Sequence, residues 1–141
     1  MENIKRIAVL YGGSSSEREI SLLSGQGIYK ALCDIGYQCQ LVDYKNLKDL
    51  IELKNYDFVF IALHGFEGEG GKLQKDLDDL NILYSGSKSE ACRKTWNKGL
   101  TKKILKANNI NTPSFIELEK FDPQIVTSKF NDASFDFFQS Y

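Results

Sequence analysis

The sequence predicts an α/β fold: an open, mostly parallel sheet flanked by helices. Three observations carry that expectation. Residues 7–11 and 58–63 are unbroken apolar runs, the pattern of strands buried on both faces. Each run stops at a glycine-rich segment, Gly12-Gly13 after the first and 64–71 after the second. Helical periodicity then follows each. Strands alternating with helices build parallel βαβ units with right-handed crossovers, the Rossmann-like arrangement.

Taken in order, the first strand covers 7–11, and Gly12 and Gly13 allow a turn that side chains forbid. Ser16 and Glu19 match a capping box, which would start the first helix at Ser16. Its expected core face is Ile20, Leu23, Gly27, Ile28, Ala31, Leu32 and Ile35, with Gly36 as the C-terminal stop. Residues 40–44 form a second strand with Asp43 near its end, there an ordinary strand-end residue. A short helix is expected over 46–53, and the third strand over 58–63. The segment 64–71 reads as a mobile, glycine-dense loop, and Glu67 and Glu69 within it lack metal-cage spacing. Leu73, Leu77 and Leu80 mark one helix face. Residues 82–84 suggest a fourth strand, 87–95 and 97–107 two further helices, and 115–118 a new strand after Thr112-Pro113.

Composition narrows the function class. The chain has 141 residues, 42% hydrophobic and 26% charged, which suits a soluble domain with a real core. A net charge of -1 argues against a basic nucleic-acid footprint or a polybasic membrane patch. The N-terminal apolar run is too short for a signal peptide or a membrane span, and three cysteines, odd in number, fit a reduced, cytoplasmic setting. Cys33, Cys39 and Cys92 show no C-x-x-C spacing and are expected to pack as small apolar groups.

Two side chains stand out at strand ends. Glu17 lies in the strand-to-helix crossing. It is either an acid favoured by the helix dipole or a carboxylate held at the sheet edge to grip a cation or take a proton. His64 is the only histidine and directly follows the third strand, where open α/β sheets place ligands. If the first and third strands are neighbours, Glu17 and His64 flank one switch point. A carboxylate beside an imidazole there can orient an ammonium or set the imidazole tautomer. The glycine turn matches neither the dinucleotide fingerprint nor a P-loop. Lys98 stands among Lys94, Lys102, Lys103 and Lys106, a basic helical neighbourhood that reads as a solvated face.

Three blocks resemble D-alanine–D-alanine ligases in register. They are the run from Val9-Leu10-Tyr11-Gly12-Gly13 to Ser24-Gly25, the run His64-Gly65-Phe66-Glu67-Gly68-Glu69-Gly70-Gly71-Lys72-Leu73-Gln74, and Tyr84-Ser85-Gly86-Ser87 through Asn97-Lys98 to Asn111-Thr112-Pro113. The resemblance implies a pre-ATP-grasp sheet in which Glu17 holds the ammonium of the first D-alanine and His64 helps position it. It also implies that Lys98 reaches nucleotide phosphate. ATP and Mg2+ (or Mn2+) would be the cofactors of the whole enzyme, D-alanine its substrate, and a homodimer its assembly. The family usually carries aspartate where Gly70 and Asn97 stand, so the loop and the lysine's setting are expected to be looser. On this resemblance 1–93 form the substrate-side domain, 94–118 lead into an ATP-grasp domain, and 119–141 are a truncated tail. That tail is rich in phenylalanine and lacks the family's phosphate loop and acidic metal ligands. The expected function is therefore the N-terminal part of such a ligase, inactive by itself. The alternative is a stand-alone, non-catalytic α/β module that binds an amino acid or a partner protein. The two divide on whether the coding sequence continues past Tyr141 with those elements.

Overall fold

The structure is a computed structural model that describes residues 4–115, Glu117 and Ser128. The chain divides into two compact units, one ending at Asn97 and the other starting at Lys98. The first unit holds three parallel strands, β1 (Arg6–Tyr11), β2 (Gln38–Asp43) and β3 (Phe58–Ile61), in the order β2-β1-β3. The first and third strands are thus neighbours, with Ile7 opposite Phe58 and Leu10 opposite Ile61. β1 is central and buried on both faces, which is why it reads as an unbroken apolar run.

The two faces of β1 are packed differently. Ala8 and Leu10 join Leu53, Val59, Leu63, Leu73, Leu77 and Ile82 in the main core. Leu73 and Leu77 come from α3 (Lys72–Asp79), as its leucine spacing predicts. Ile7 and Val9 are equally buried but lie on the other face, under α1 (Arg18–Asp34). Here the expected helix face holds only in part, with Ile28 and Leu32 half-buried. Ile20, Leu23 and Ile35 are 55%, 68% and 70% exposed, while Ser21 and Gly25 are the buried residues. The reason is proximity: a Cβ on Gly25 would fall 2.5 Å from Tyr11 Cβ, so only a hydrogen fits between helix and strand.

The capping box at Ser16 does not form either. The Ser15 hydroxyl accepts from Glu17 N–H at 3.2 Å, the Ser15 carbonyl accepts from Arg18 N–H at 3.2 Å, and Glu17 becomes the N-cap with no side-chain cap. At the other end Gly36 does stop the helix. It adopts φ +95° while Tyr37 N–H reaches the Leu32 carbonyl and Gly36 N–H the Cys33 carbonyl.

Three further expectations change. Residues 46–53 are not one helix but lie across two 3-10 turns, Tyr44–Asn46 and Leu50–Asn55, the second closed by an Asp49/Glu52 capping box. The glycine loop contains a helical turn, α2 (Phe66–Glu69). The fourth strand reduces to a single parallel bridge between Val59 and Tyr84. It goes no further because Ile61 N–H bonds the Ser85 hydroxyl at 2.9 Å instead of a backbone carbonyl. α4 (Ser89–Trp96) completes the first unit. The second unit contains α5 (Lys98–Ala107), ended by Asn109 at φ +56°; most of the strand expected over 115–118, and the tail beyond it, lie outside the described residues. Among the described residues no helix is long and apolar enough to cross a membrane.

Candidate functional site

The site is built at the carboxyl ends of the strands, where β1 and β3 hand over to α1 and α2. Gly12 and Gly13 both take positive φ, 77° and 76°, to turn the chain off β1. The buried Ser21 hydroxyl accepts from Gly12 N–H at 2.9 Å and donates to the Ala62 carbonyl at 2.7 Å, joining the ends of both strands through one helix residue. Ser14 N–H donates to Glu67 Oε2 at 2.8 Å, so α2 is tied to the turn. Glu67 therefore lies in a helical turn that is bonded to the strand end.

β2 joins the same arrangement through Asp43. Its carboxylate is gripped by both Arg18 guanidinium nitrogens at 3.0 and 2.6 Å, and one of them also donates to the Gly13 carbonyl at 2.7 Å. Asp43 further accepts from Lys45 N–H at 3.1 Å. It is thus an organiser of the edge and not an ordinary strand-end residue. The Arg18 hydrogen bond holds the Asp43 carboxyl below the usual carboxylate range, and the same bond raises Arg18. The turn's own N–H groups are taken up within the protein, Gly12 by the Ser21 hydroxyl, Gly13 by Asp43 and Ser14 by the Glu67 carboxylate, which leaves none to cradle a phosphate. That turn does not fit a nucleotide.

Glu17 and His64 are brought together. A Cβ on Gly65 would fall 2.6 Å from Glu17 Oε2, so the exposed carboxylate lies over the backbone of the residue next to His64. Gly65 stands at φ 72°, and glycine is needed there twice, for that conformation and for that approach. The half-buried His64 has Nε2 3.0 Å from Ser24 Oγ, and its carbonyl accepts from the Ser15 hydroxyl at 3.4 Å. The arrangement offers an anion and an imidazole on an open edge. Neither residue lines either of two cavities in this unit, of about 420 Å³ beside β2 and about 320 Å³ between α2, α3, α4 and Ser85.

Lys98 opens α5 in the second unit and is exposed. Its basic neighbours are not simply a solvated face. Lys102 donates to Thr112 Oγ1 at 3.0 Å and to the Pro113 carbonyl at 2.9 Å, and Lys103 pairs with Glu117 at 2.6 Å. Gly70, where aspartate was expected, lies under the Phe66 ring: a Cβ there would be 2.6 Å from Phe66 Cδ2. Gly70 N–H bonds the Phe66 carbonyl at 2.9 Å, and Phe66 meets Trp96 edge-on at 5.5 Å. Cys33, Cys39 and Cys92 are free and half-buried, with burial pushing the Cys39 and Cys92 thiols up. Among the described residues no group of three histidine, cysteine or acidic side chains converges to hold a metal ion.

Glu17 and His64 stand out in the sequence, whereas Ser21, Ser24, Asp43 and Glu67, which the hydrogen bonds tie to the same edge, do not. The signal available for Ser21 and Ser24 was their spacing from Glu17, four and seven residues, which is one helix face.

Comparison with known proteins bears on the same region. No protein-family model matches the chain. The D-alanine–D-alanine ligase of Carboxydothermus hydrogenoformans is 45% identical over 112 residues, covering 79% of this chain and 36% of the relative. That of Thermotoga petrophila is 44% identical over 118 residues, covering 82% and 39%. Among solved structures, a D-alanine–D-alanine ligase from Bacillus anthracis complexed with ATP superposes with a TM-score of 0.77 at 36% identity. It covers 88% of this chain and 44% of that one. The chain is therefore a homologue of these ligases along about four-fifths of its own length and spans little more than a third of theirs.

Proposed function

We propose that this chain is the N-terminal, substrate-side part of an ATP-dependent D-alanine–D-alanine ligase, and that Glu17 and His64 form one wall of its first-substrate site. The observation that supports this best is the convergence of the Glu17 carboxylate and His64 on one edge, in a chain whose relatives are named for this reaction. In this reading Glu17 pairs with the ammonium of the first D-alanine, His64 supplies a hydrogen bond beside it, and Lys98 contacts nucleotide phosphate. ATP supplies the phosphoryl group that activates the first carboxylate. The described residues form no ligand set for Mg2+. The same reading places the product in peptidoglycan synthesis, the protein in the cytoplasm, and the enzyme as a homodimer.

Magnitudes explain why this wall would not act alone. A pair of unit charges 4 Å apart is worth about 1 kcal/mol in water and about 4 kcal/mol at an effective dielectric of 20. Glu17 is exposed. Its grip on an ammonium becomes useful only when further protein covers the edge and excludes water. The 141 residues by themselves should thus bind D-alanine at about millimolar strength or weaker and make no dipeptide.

The test is an amide-shift titration of the labelled chain with D-alanine. Shifts should be confined to residues 12–18 and 64–67, and Glu17→Gln should abolish them while leaving the thermal midpoint within a degree or two. Shifts elsewhere, or a response unaltered by Glu17→Gln, would overturn the assignment. ATP-dependent formation of D-alanyl-D-alanine by the isolated chain would overturn the claim of inactivity. Loss of binding and of thermal stability in proportion would instead return Glu17 to a helix-terminus role.

A further inference from the structure

We infer that Ser24 is a positioning residue that fixes His64 as the Nε2–H tautomer and so leaves Nδ1 as the nitrogen that accepts a hydrogen bond. The tautomer stands on the geometry of this chain; only its use toward a substrate ammonium rests on the reading above.

The number of protons available fixes the tautomer. A serine hydroxyl has one O–H to give and two lone pairs to accept with. Ser24 Oγ lies 2.8 Å from the Ile20 carbonyl oxygen, one helical turn back. A carbonyl carries no hydrogen, so the only proton that can occupy that contact is the serine's own. The same oxygen lies 3.0 Å from His64 Nε2. With its proton already directed at Ile20, the hydroxyl meets Nε2 with a lone pair, and the proton between them must sit on Nε2. A neutral imidazole carries one N–H, so Nδ1 is bare. Turning the hydroxyl the other way would set its lone pairs against the Ile20 oxygen at 2.8 Å and lose that bond altogether.

The helix makes this possible because of what it presents to the strand ends. Glu17, Ser21 and Ser24 lie at successive turns of one α1 face. Glu17 offers the carboxylate, Ser21 bonds the Ala62 carbonyl at the end of β3, and Ser24 bonds the imidazole two residues later. Carboxylate and imidazole are thereby held by the same rigid element. A bare Nδ1 accepts from an N–H donor such as an ammonium, whereas an Nδ1–H would repel one. The tautomer therefore decides whether Nδ1 of His64 can accept from a cationic N–H donor at this edge.

The chain has one histidine, so a long-range proton–nitrogen spectrum of the uniformly labelled protein reads this ring and no other. In mildly alkaline buffer without any ligand, Nε2 should give the protonated, pyrrole-type shift and Nδ1 the bare, pyridine-type shift. The minor form should be below about a tenth. Ser24→Ala should lower the ratio of the two forms several-fold and move the Nε2 resonance. Ser24→Thr, which keeps the hydroxyl, should restore the native pattern. An Nδ1–H ring in the unaltered protein would overturn the inference, and so would identical spectra for the native and Ser24→Ala chains. Should Ser24→Ala fail to fold, the native spectrum and the threonine variant still decide. The readout needs no D-alanine. Failure of D-alanine to shift the edge with the Nε2–H pattern intact would overturn only the assignment of Glu17 and His64 to the first D-alanine.

Discussion

Ser21 is a small side chain with two partners far away in sequence. Its oxygen accepts from Gly12 N–H, nine residues back, and donates to the carbonyl of Ala62, 41 residues on. Both groups are buried, so alanine at this position leaves a donor and an acceptor without partners in a place water does not reach. Each such group costs about 1–3 kcal/mol. We expect Ser21→Ala to destabilise the chain by about 2–4 kcal/mol, seen as a lower urea midpoint with an unchanged slope. The residue scale also shows what a sequence reveals of a site. Glu17 and His64 are legible because each follows a strand that its own neighbours make obvious. Asp43, Ser24 and Glu67 are not, because what each does is defined by a partner 25, 40 or 53 residues distant. Serine, aspartate and glutamate at loop and helix positions are ordinary locally, and only the register of the strands brings their partners near.

At the scale of the element, α1 is the instructive case. Its Gly36 stop follows from local chemistry, and its apolar residues do fall at helical spacing, although its start does not lie at the Ser16 capping signal. Yet the face turned to the sheet carries Ser21 and Gly25, while Ile20 and Leu23 face outward. Periodicity locates an apolar stripe but not the distance between helix and sheet. Here that distance is so short that steric fit overrides hydrophobic burial. Two glycines in the same helix test this directly. At Gly25 a methyl would meet Tyr11 Cβ at 2.5 Å and its ring at 2.8 Å, and Tyr11 belongs to the central strand and cannot easily retreat. At Gly27 nothing lies within 4 Å. Gly27→Ala should therefore stabilise the protein by about 0.5–1 kcal/mol through helix propensity. Gly25→Ala should lose about 1–3 kcal/mol to overpacking despite the same propensity gain. Opposite signs in thermal or urea unfolding carry the point; equal effects would mean that the helix lies further from β1 than described.

For the whole molecule, the parallel sheet was legible in two apolar runs and the helices between them, while the central place of β1 is set by the strand pairing in the structure. What the runs could not convey is how the three strand ends are tied into one edge, and that tie is electrostatic. Asp43, at the end of β2, is held by Arg18 from α1, which also bonds the turn after β1. Both members of the pair are mostly shielded, with side chains 29% and 15% exposed. The Arg18 bond depresses the folded-state pKa of Asp43. The sign follows: a carboxyl whose folded value lies below its unfolded value contributes stability above the unfolded value, about 3.9, and loses it as pH falls through the folded one. Asp57, Asp78 and Glu90 are also depressed, by the Arg6 and Lys5 backbone N–H groups, by Lys88 and by Lys94 respectively. Stability should thus be nearly level from pH 7 to about pH 5 and fall steeply below about pH 4. Asp43→Asn keeps the shape of the side chain and removes its ionised form. That variant should be less stable than the parent at pH 7, and the gap should narrow as acid protonates Asp43 in the parent. Urea midpoints measured for both chains from pH 7 to pH 3 check this. A gap that stays constant across the range would mean that the Arg18–Asp43 pair contributes through shape and not through charge.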